Sequence, residues 1–333
     1  MRRNLTAWLL RGLAVVVLTT VVALWVLVQP LSEPPHPTPT LVLSKVEGPV
    51  LSEESTLTPV LSKVAGPTTT FPPTPSSTPT ATPTPTPACT ETTGSVEQQV
   101  YYSPIAGGEE PYRIYRPPCY DQTDHRYPVL YLLHGWPYEA AHWDGLGVEE
   151  AADAGIKDGT LPPFIIVQPQ GFERLYINTS GGDHSFEGQV LNDLIPHVEA
   201  TYRTQTEREG RAIGGISRGG VWALEIGFRN PDVFAAVGAH SPALSVNLAP
   251  PVYDPFHLLT DPDIPTLRIY LDAGDADWAL ESTQALHEAL DEQGIFHELV
   301  VHPGGHAAGT WSANVAEYLA FYTAGWSASD APP

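Results

Sequence analysis

The ten residues Arg211-Ala-Ile-Gly-Gly-Ile-Ser-Arg-Gly-Gly220 limit the possible folds of this chain more than any other stretch. Ala212 and Ile213 are apolar. Gly215-x-Ser217-x-Gly219 then marks a sharp turn, and Val221-Trp-Ala-Leu-Glu-Ile-Gly-Phe228 carries apolar residues at helical spacing until Asn230-Pro231 ends the run. The spacing predicts a short strand, one tight turn and a helix. A serine on such a turn is held in a strained backbone conformation, and glycines two residues to either side let strand and helix approach closely. This is a nucleophile elbow, which exposes a hydroxyl to both a base and a substrate. The five-residue pattern also arises by chance in a chain with 28 glycines, so its surroundings must carry the reading.

Those surroundings alternate strand and helix patterns from about residue 96 onward. Val100-Tyr-Tyr102 and Tyr112-Arg-Ile-Tyr115 read as an antiparallel pair. Pro128-Val-Leu-Tyr-Leu-Leu133 is a continuous apolar run, the signature of a strand buried on both faces. Phe164–Val167, Thr266–Leu271 and Phe296–Val301 repeat that signature. Helical patterns fall at Glu187–Tyr202, Leu280–Gln293 (closed by Gly294) and Trp311–Tyr322. Strands alternating with helices imply βαβ units, so the expected class is α/β: a mostly parallel central sheet with helices on both faces, in one domain over 96–328.

The first quarter of the chain has a different character. Leu13–Val28 is almost wholly apolar and follows Arg2, Arg3 and Arg11, which predicts that residues 1–29 target a membrane with the N-terminus in the cytoplasm. Counting Leu5–Leu10, the segment approaches the ~20 residues that a span requires. No small-x-small cleavage site lies between Leu27 and Ser32, which favours an uncleaved anchor over a cleaved signal peptide. Either way, the rest of the chain is expected outside the cell. Residues 30–95 are dominated by Pro, Thr and Ser and read as a disordered, extended linker. Val42–Pro49 recurs with one change as Val60–Pro67, a duplication within the linker and not a solenoid repeat. The net charge of −22 opposes phosphate backbones, so no nucleic-acid partner is expected, and membrane contact is expected through the N-terminal segment only. Oligomeric state is not legible. The two cysteines, Cys89 and Cys119, are too few for a disulfide scaffold or a zinc site, but in an exported chain they are candidates for one bridge.

In a parallel α/β sheet, reactive groups gather at the carboxyl ends of the strands. Ser217, His134-Gly135, Asp272-Ala-Gly-Asp-Ala-Asp277 and Pro303-Gly-Gly-His306 all follow predicted strands. Their order, Ser then Asp then His, is that of α/β-hydrolase sheets. A serine hydroxyl needs a base, and the base needs a carboxylate to fix its tautomer. His306 is the expected base, since Gly304, Gly305 and Gly309 suit a loop that brings its ring to the serine; His302, the nearest rival, ends a predicted strand and is expected to face the sheet or solvent. Three acids compete for the third role. Asp272 falls at the end of the strand, Asp275 at the tip of the turn, and Asp277 just before Trp278, a ring able to shield it. The backbone N–H groups of Trp136 and Arg218 are the expected oxyanion hole. Gly135, His142, Trp143 and Ser241 are expected to contribute to substrate binding.

These motifs together resemble the esterase-D-like α/β-hydrolases, which include feruloyl esterases, enterochelin esterases and mycolyltransferases. The resemblance runs from roughly Tyr101 to Phe321. It rests on Pro117-Pro-Cys-Tyr-Asp121, Tyr127–Gly135, Asp193-Leu-Ile-Pro196 with Tyr202-Arg203, Gly215–Gly220, Gly274-Asp-Ala-Asp277, and Gly304-Gly-His306 with Trp311. It implies that Asp277 is the catalytic acid. Cys119 stands where the family usually has glycine, and Arg218 where methionine is common. The implied activity is a serine carboxylesterase acting through a Ser217–His306–Asp277 triad on a small-molecule or polysaccharide-linked ester, with feruloyl and acetyl esters as the analogy. An acyltransferase of the mycolyltransferase type and a catalytically silent binding module are the alternatives. No cofactor is expected, and no metal, since the histidines lack His-x-x-x-His or a similar ligand spacing.

Overall fold

The computed structural model describes residues 90–327, apart from Phe172 and Thr179. The N-terminal apolar segment, residues 30–89 of the linker and, with them, Cys89 lie outside the described residues. No helix among the described residues is long and apolar enough to cross a membrane.

The chain enters through a hairpin, β1 (Ser95–Ser103) and β2 (Gly108–Arg116), paired antiparallel. Six short strands come next: β3 (Val129–Leu133), β4 (Ile165–Pro169), β5 (Arg211–Ile216), β6 (Ala236–His240), β7 (Arg268–Gly274) and β8 (Glu298–His302). All eight lie in one sheet in the order β1-β2-β4-β3-β5-β6-β7-β8, parallel from β4 onward, with β2 joined antiparallel to β4. The longer helices are α1 (Val148–Asp158), α2 (Ile195–Thr201), α3 (Arg218–Arg229), α4 (Leu280–Glu292) and α5 (Ala308–Thr323).

Side chains alternate across the sheet, so the continuous apolar strands supply two cores at once. Val129, Tyr131, Leu133 and Ile213 pack with residues of α2, α3 and α4, among them Val198, Trp222 and Leu286. Leu130, Leu132 and Ala212 pack on the other face with α1 and α5, including Ala152 and Tyr322. This is the predicted arrangement of helices on both faces. Trp222 is fully buried, and truncating it to alanine would cost about 3–5 kcal/mol.

Three elements differ from the sequence expectation. β6 is not legible locally, because Ala236-Val-Gly-Ala-His240 is made of small residues without a strong apolar run. Its smallness has a tertiary cause: a Cβ at Gly238 would lie 2.1 Å from the Tyr322 hydroxyl, and one at Gly214 on the neighbouring β5 only 1.7 Å from it. α1 escapes a local reading because it buries little, only Val148, Glu149 and Ala152. The helix expected over Glu187–Tyr202 is broken into a short turn (Phe186–Gly188), a π-helical turn (Gln189–Leu194) and α2. Pro196 starts α2 and has no N–H to give the carbonyl four residues back, so a regular ladder cannot run through it.

Candidate active site

The elbow is built where β5 meets α3. Ser217 has φ 55° and ψ −114°, a conformation that L-residues rarely adopt, and its N–H donates to the His240 carbonyl at 2.8 Å. Both flanking glycines are sterically required. A Cβ on Gly215 would come within 2.2 Å of the Gly219 carbonyl oxygen, and one on Gly219 within 2.5 Å of the Leu133 and His134 carbonyls. The start of α3 thus packs directly on the end of β3, which brings two loops to the serine.

His306 arrives on the loop after β8, and that loop is fastened to the loop after β7. Gly304 (φ 131°) donates its N–H to Asp275 Oδ1 at 2.9 Å, and the Ala276 N–H donates to the Gly304 carbonyl at 2.8 Å. His306 Nε2 lies 2.9 Å from Ser217 Oγ, and His306 Nδ1 lies 2.8 Å from Asp277 Oδ1. A carboxylate can only accept, so Nδ1 carries the proton and Nε2 presents its lone pair to the serine hydroxyl. Asp277 Oδ1 also accepts the Ala279 N–H at 2.8 Å. Burial alone would raise the Asp277 pKa. Hydrogen bonds from His306 and Ala279, with the nearby Ser241 hydroxyl and the charge of His306, outweigh it and hold the carboxyl below its ordinary value. Asp277 Oδ2 is buried and has no hydrogen-bond partner among the described residues.

The three competing acids separate by environment. Asp277 faces His306 and is buried, whereas Asp275 is occupied in holding the Gly304 loop. Asp272 lies within β7 in a second buried network, with His240 Nδ1 at 2.8 Å, the Tyr318 hydroxyl at 2.7 Å and His302 Nε2 at 3.5 Å. His302 is thereby directed into the core, away from Ser217. Trp278 is half exposed and lies tilted against the His306 ring, centroids 4.4 Å apart, so it covers the base more than the acid.

The loop after β3 is held by two buried histidines. The Gly171 N–H donates to His134 Nε2 at 3.1 Å, so His134 Nδ1 carries the proton that bonds the Gly135 carbonyl at 2.9 Å. The Gly135 N–H donates to His142 Nδ1 at 3.1 Å. Burial pushes the pKa of each ring down to about 4, so both are neutral at pH 7 and the loop is fixed by neutral hydrogen bonds. Among the described residues, neither the Trp136 nor the Arg218 backbone N–H has an acceptor in the protein. Gly135 lies against the serine, its absent Cβ 3.6 Å from Ser217 Cβ.

A pocket of about 490 Å3 opens beside Ser217, lined by Trp136, Ile177, Arg218, Ala243, Val246 and Trp278. Three residues expected to bind substrate do not reach it. His142 is buried, stacks on Tyr138 and supports Gly135 from behind. Trp143 is buried and donates its indole N–H to the Leu133 carbonyl. Ser241 is fully buried with φ 49° and accepts the Trp311 indole N–H at 3.0 Å, beneath the triad. Gly135 contributes backbone only. Conversely, Ile177, Ala243, Val246 and Trp278 form walls that sequence reasoning does not assign. Ile177 and Val246 stand on loops whose approach to Ser217 leaves no local pattern; exposed apolar side chains are the only trace.

The Arg218 side chain lies along the pocket wall, with Nε on the Tyr176 carbonyl, Nη2 on the Asn178 carbonyl and the guanidinium over the Trp222 ring. Burial lowers its pKa from the ordinary arginine value. Cys119 is buried at φ 62°, a conformation glycine adopts without strain. Its candidate partner, Cys89, lies outside the described residues.

A family profile described as "Putative esterase" matches residues 103–322. Over 153 residues the chain is 31% identical to an endo-1,4-beta-xylanase/feruloyl esterase of Xylanibacter ruminicola, a match that covers 44% of this chain and 21% of that protein. It is 29% identical over 238 residues to esterase Rv1288 of Mycobacterium tuberculosis, covering 57% of this chain and 51% of that one. The chain thus spans about a fifth and about half the length of these two relatives. Among solved structures, a ferulic acid esterase superposes with a TM-score of 0.64 at 25% identity, covering 70% of this chain and 100% of that one.

Proposed function

Because this chain belongs to the putative esterase family, we propose that it is a serine carboxylesterase that works through an acyl-enzyme on Ser217. The observation that carries the proposal is the continuous hydrogen-bonded line from Ser217 Oγ through His306 to Asp277, at 2.9 and 2.8 Å. In this mechanism His306 Nε2 takes the serine proton as Oγ attacks the ester carbonyl. Asp277 stabilises the imidazolium that forms. The free N–H groups of Trp136 and Arg218 receive the oxyanion, and His306 then gives its proton to the departing alcohol. Water, activated by the same imidazole, hydrolyses the acyl-enzyme.

The pocket supports an aromatic or compact apolar acyl group. Trp136 and Trp278 supply flat faces, and Ile177 and Val246 supply aliphatic contact. Feruloyl and acetyl esters attached to polysaccharide are the substrate class we favour, by likeness to the ferulic acid esterase. The apolar, Arg-flanked N-terminus and the Pro/Thr-rich stretch behind it support an exported enzyme held at the cell membrane, with its catalytic domain outside. The test is turnover of aryl, acetyl and long-chain esters by wild type and Ser217→Ala. The variant should lose at least ~10³ in kcat with its fold intact. Equal turnover by the two proteins would remove the elbow from the reaction, and preference for long-chain esters would overturn the substrate class.

A further inference from the structure

The last two turns of α4 and the residue preceding β8 bring together His287, Asp291 and His297, whose ligand atoms all lie within 4.8 Å of one another. His287 and Asp291 are one helical turn apart and share a face. His297 is placed by the tight reversal at Gly294 (φ 68°), where the chain turns back from α4 into β8. The cluster is partly exposed and can be reached by an ion from solvent.

With both rings neutral, one contact at this cluster sets two acceptors against each other. His297 Nδ1 is 2.8 Å from the Ile295 carbonyl, which can only accept, so Nδ1 carries the proton and Nε2 presents a lone pair. His287 Nδ1 lies 2.6 Å from that lone pair and must donate to it. A neutral His287 would then turn the lone pair of its Nε2 toward Asp291 Oδ2, 3.6 Å away, setting two acceptors against each other. A metal ion in place of the proton between the rings removes the conflict. His287 Nδ1 and His297 Nε2 become ligands, and the His287 proton moves to Nε2, where it faces the Asp291 carboxylate. Each imidazole then has a carbonyl or carboxylate on its outer nitrogen, the arrangement that orients metal-bound histidines.

The geometry points to a zinc site at His287 and His297, with Asp291 as the anionic partner and water completing the shell. Two imidazole ligands, one of them backed by a carboxylate on its outer nitrogen, suit a borderline divalent ion, with zinc the commonest, and not calcium or magnesium, which take oxygen ligands. The nitrogens need only separate from 2.6 Å to roughly 3.3 Å to accept Zn–N bonds of about 2.0–2.1 Å in tetrahedral geometry. A net charge of −22 further favours cation uptake. His297 enters β8 at its amino end, whereas the His306 loop leaves at the carboxyl end, roughly 17 Å away for five residues. The ion would therefore clamp α4 to β8 and take no part in ester cleavage.

Zinc chloride is titrated calorimetrically into the full chain after treatment with EDTA and desalting, alongside a His287→Gln/His297→Gln double variant and Asp291→Asn. We expect one zinc per wild-type chain, at least tenfold weaker binding in the double variant, and a smaller loss in Asp291→Asn. Saturating zinc should raise the Tm of wild type by roughly 5–10 °C while leaving kcat unchanged. To separate loss of ligands from loss of fold, histidine-selective NMR of the wild type should show zinc shifting His287 Nδ1 and His297 Nε2. Equal zinc binding by wild type and the double variant, or zinc shifts confined to other histidines, would overturn the site.

Discussion

Replacing Asp277 with asparagine separates the charge of the third residue from its shape. The asparagine carbonyl can still accept the N–H groups of Ala279 and His306, now 2.8 Å from Oδ1, so the ring keeps its orientation and tautomer. What disappears is the negative charge beside the imidazolium that forms during acylation. With the charge centres roughly 4 Å apart and an effective dielectric of about 20, that attraction is worth ~4 kcal/mol. Each 1.4 kcal/mol is about tenfold in rate, so the expected loss in kcat is roughly 10³, within bounds of about 10²–10⁴. Asp275→Asn is the matched control. Its new side chain can still accept the Gly304 N–H, so kcat should fall less than tenfold. The assay is kcat and kcat/KM on p-nitrophenyl acetate for both variants, with Tm measured beside them. If Asp275→Asn loses 10² or more while Asp277→Asn stays within tenfold of wild type, the assignment of the acid is wrong.

Two more outcomes concern buried groups. Ser241→Ala removes the acceptor of the Trp311 indole and the hydroxyl beside Asp277, and should cost about 1–3 kcal/mol of stability with about a tenfold fall in kcat. A raised KM for aryl esters with unchanged stability would instead return Ser241 to the pocket. Glu225, on α3, is fully buried, and neither carboxylate oxygen has a hydrogen-bond partner among the described residues. Burial and then the nearby Glu187 push its pKa up to about 9, from an ordinary 4.5. A folded pKa above the unfolded one means that the protonated form is favoured by folding. Its contribution is full below pH 4.5 and is lost as pH rises toward 9. Glu225→Gln should therefore match wild type near pH 5 and exceed it by on the order of 2 kcal/mol near pH 8 in denaturant unfolding. A constant difference across that range would contradict the buried, protonated carboxyl.

Much of the architecture can be read from local pattern. Pro128–Leu133 needs no partner in view to be read as a strand buried on both faces, because its five consecutive apolar residues leave no polar face and the run is too short for a helix. The elbow is legible because the turn itself demands Gly215 against Gly219, four positions on, although Gly219 also answers to the distant Leu133 and His134 carbonyls. The Ser-Asp-His order comes from strands that all end at one rim. Tertiary structure decides whatever depends on residues distant in sequence. β6 hides its identity because its glycine answers to Tyr322, 84 positions later. His142, Trp143 and Ser241 have the chemistry of pocket residues and stand beside the right loops. Their side chains turn inward to satisfy Gly135, Leu133 and Trp311. The walls of the pocket, Ile177 and Val246 among them, are set by where loops cross above the sheet, and no periodicity in a sequence records that crossing.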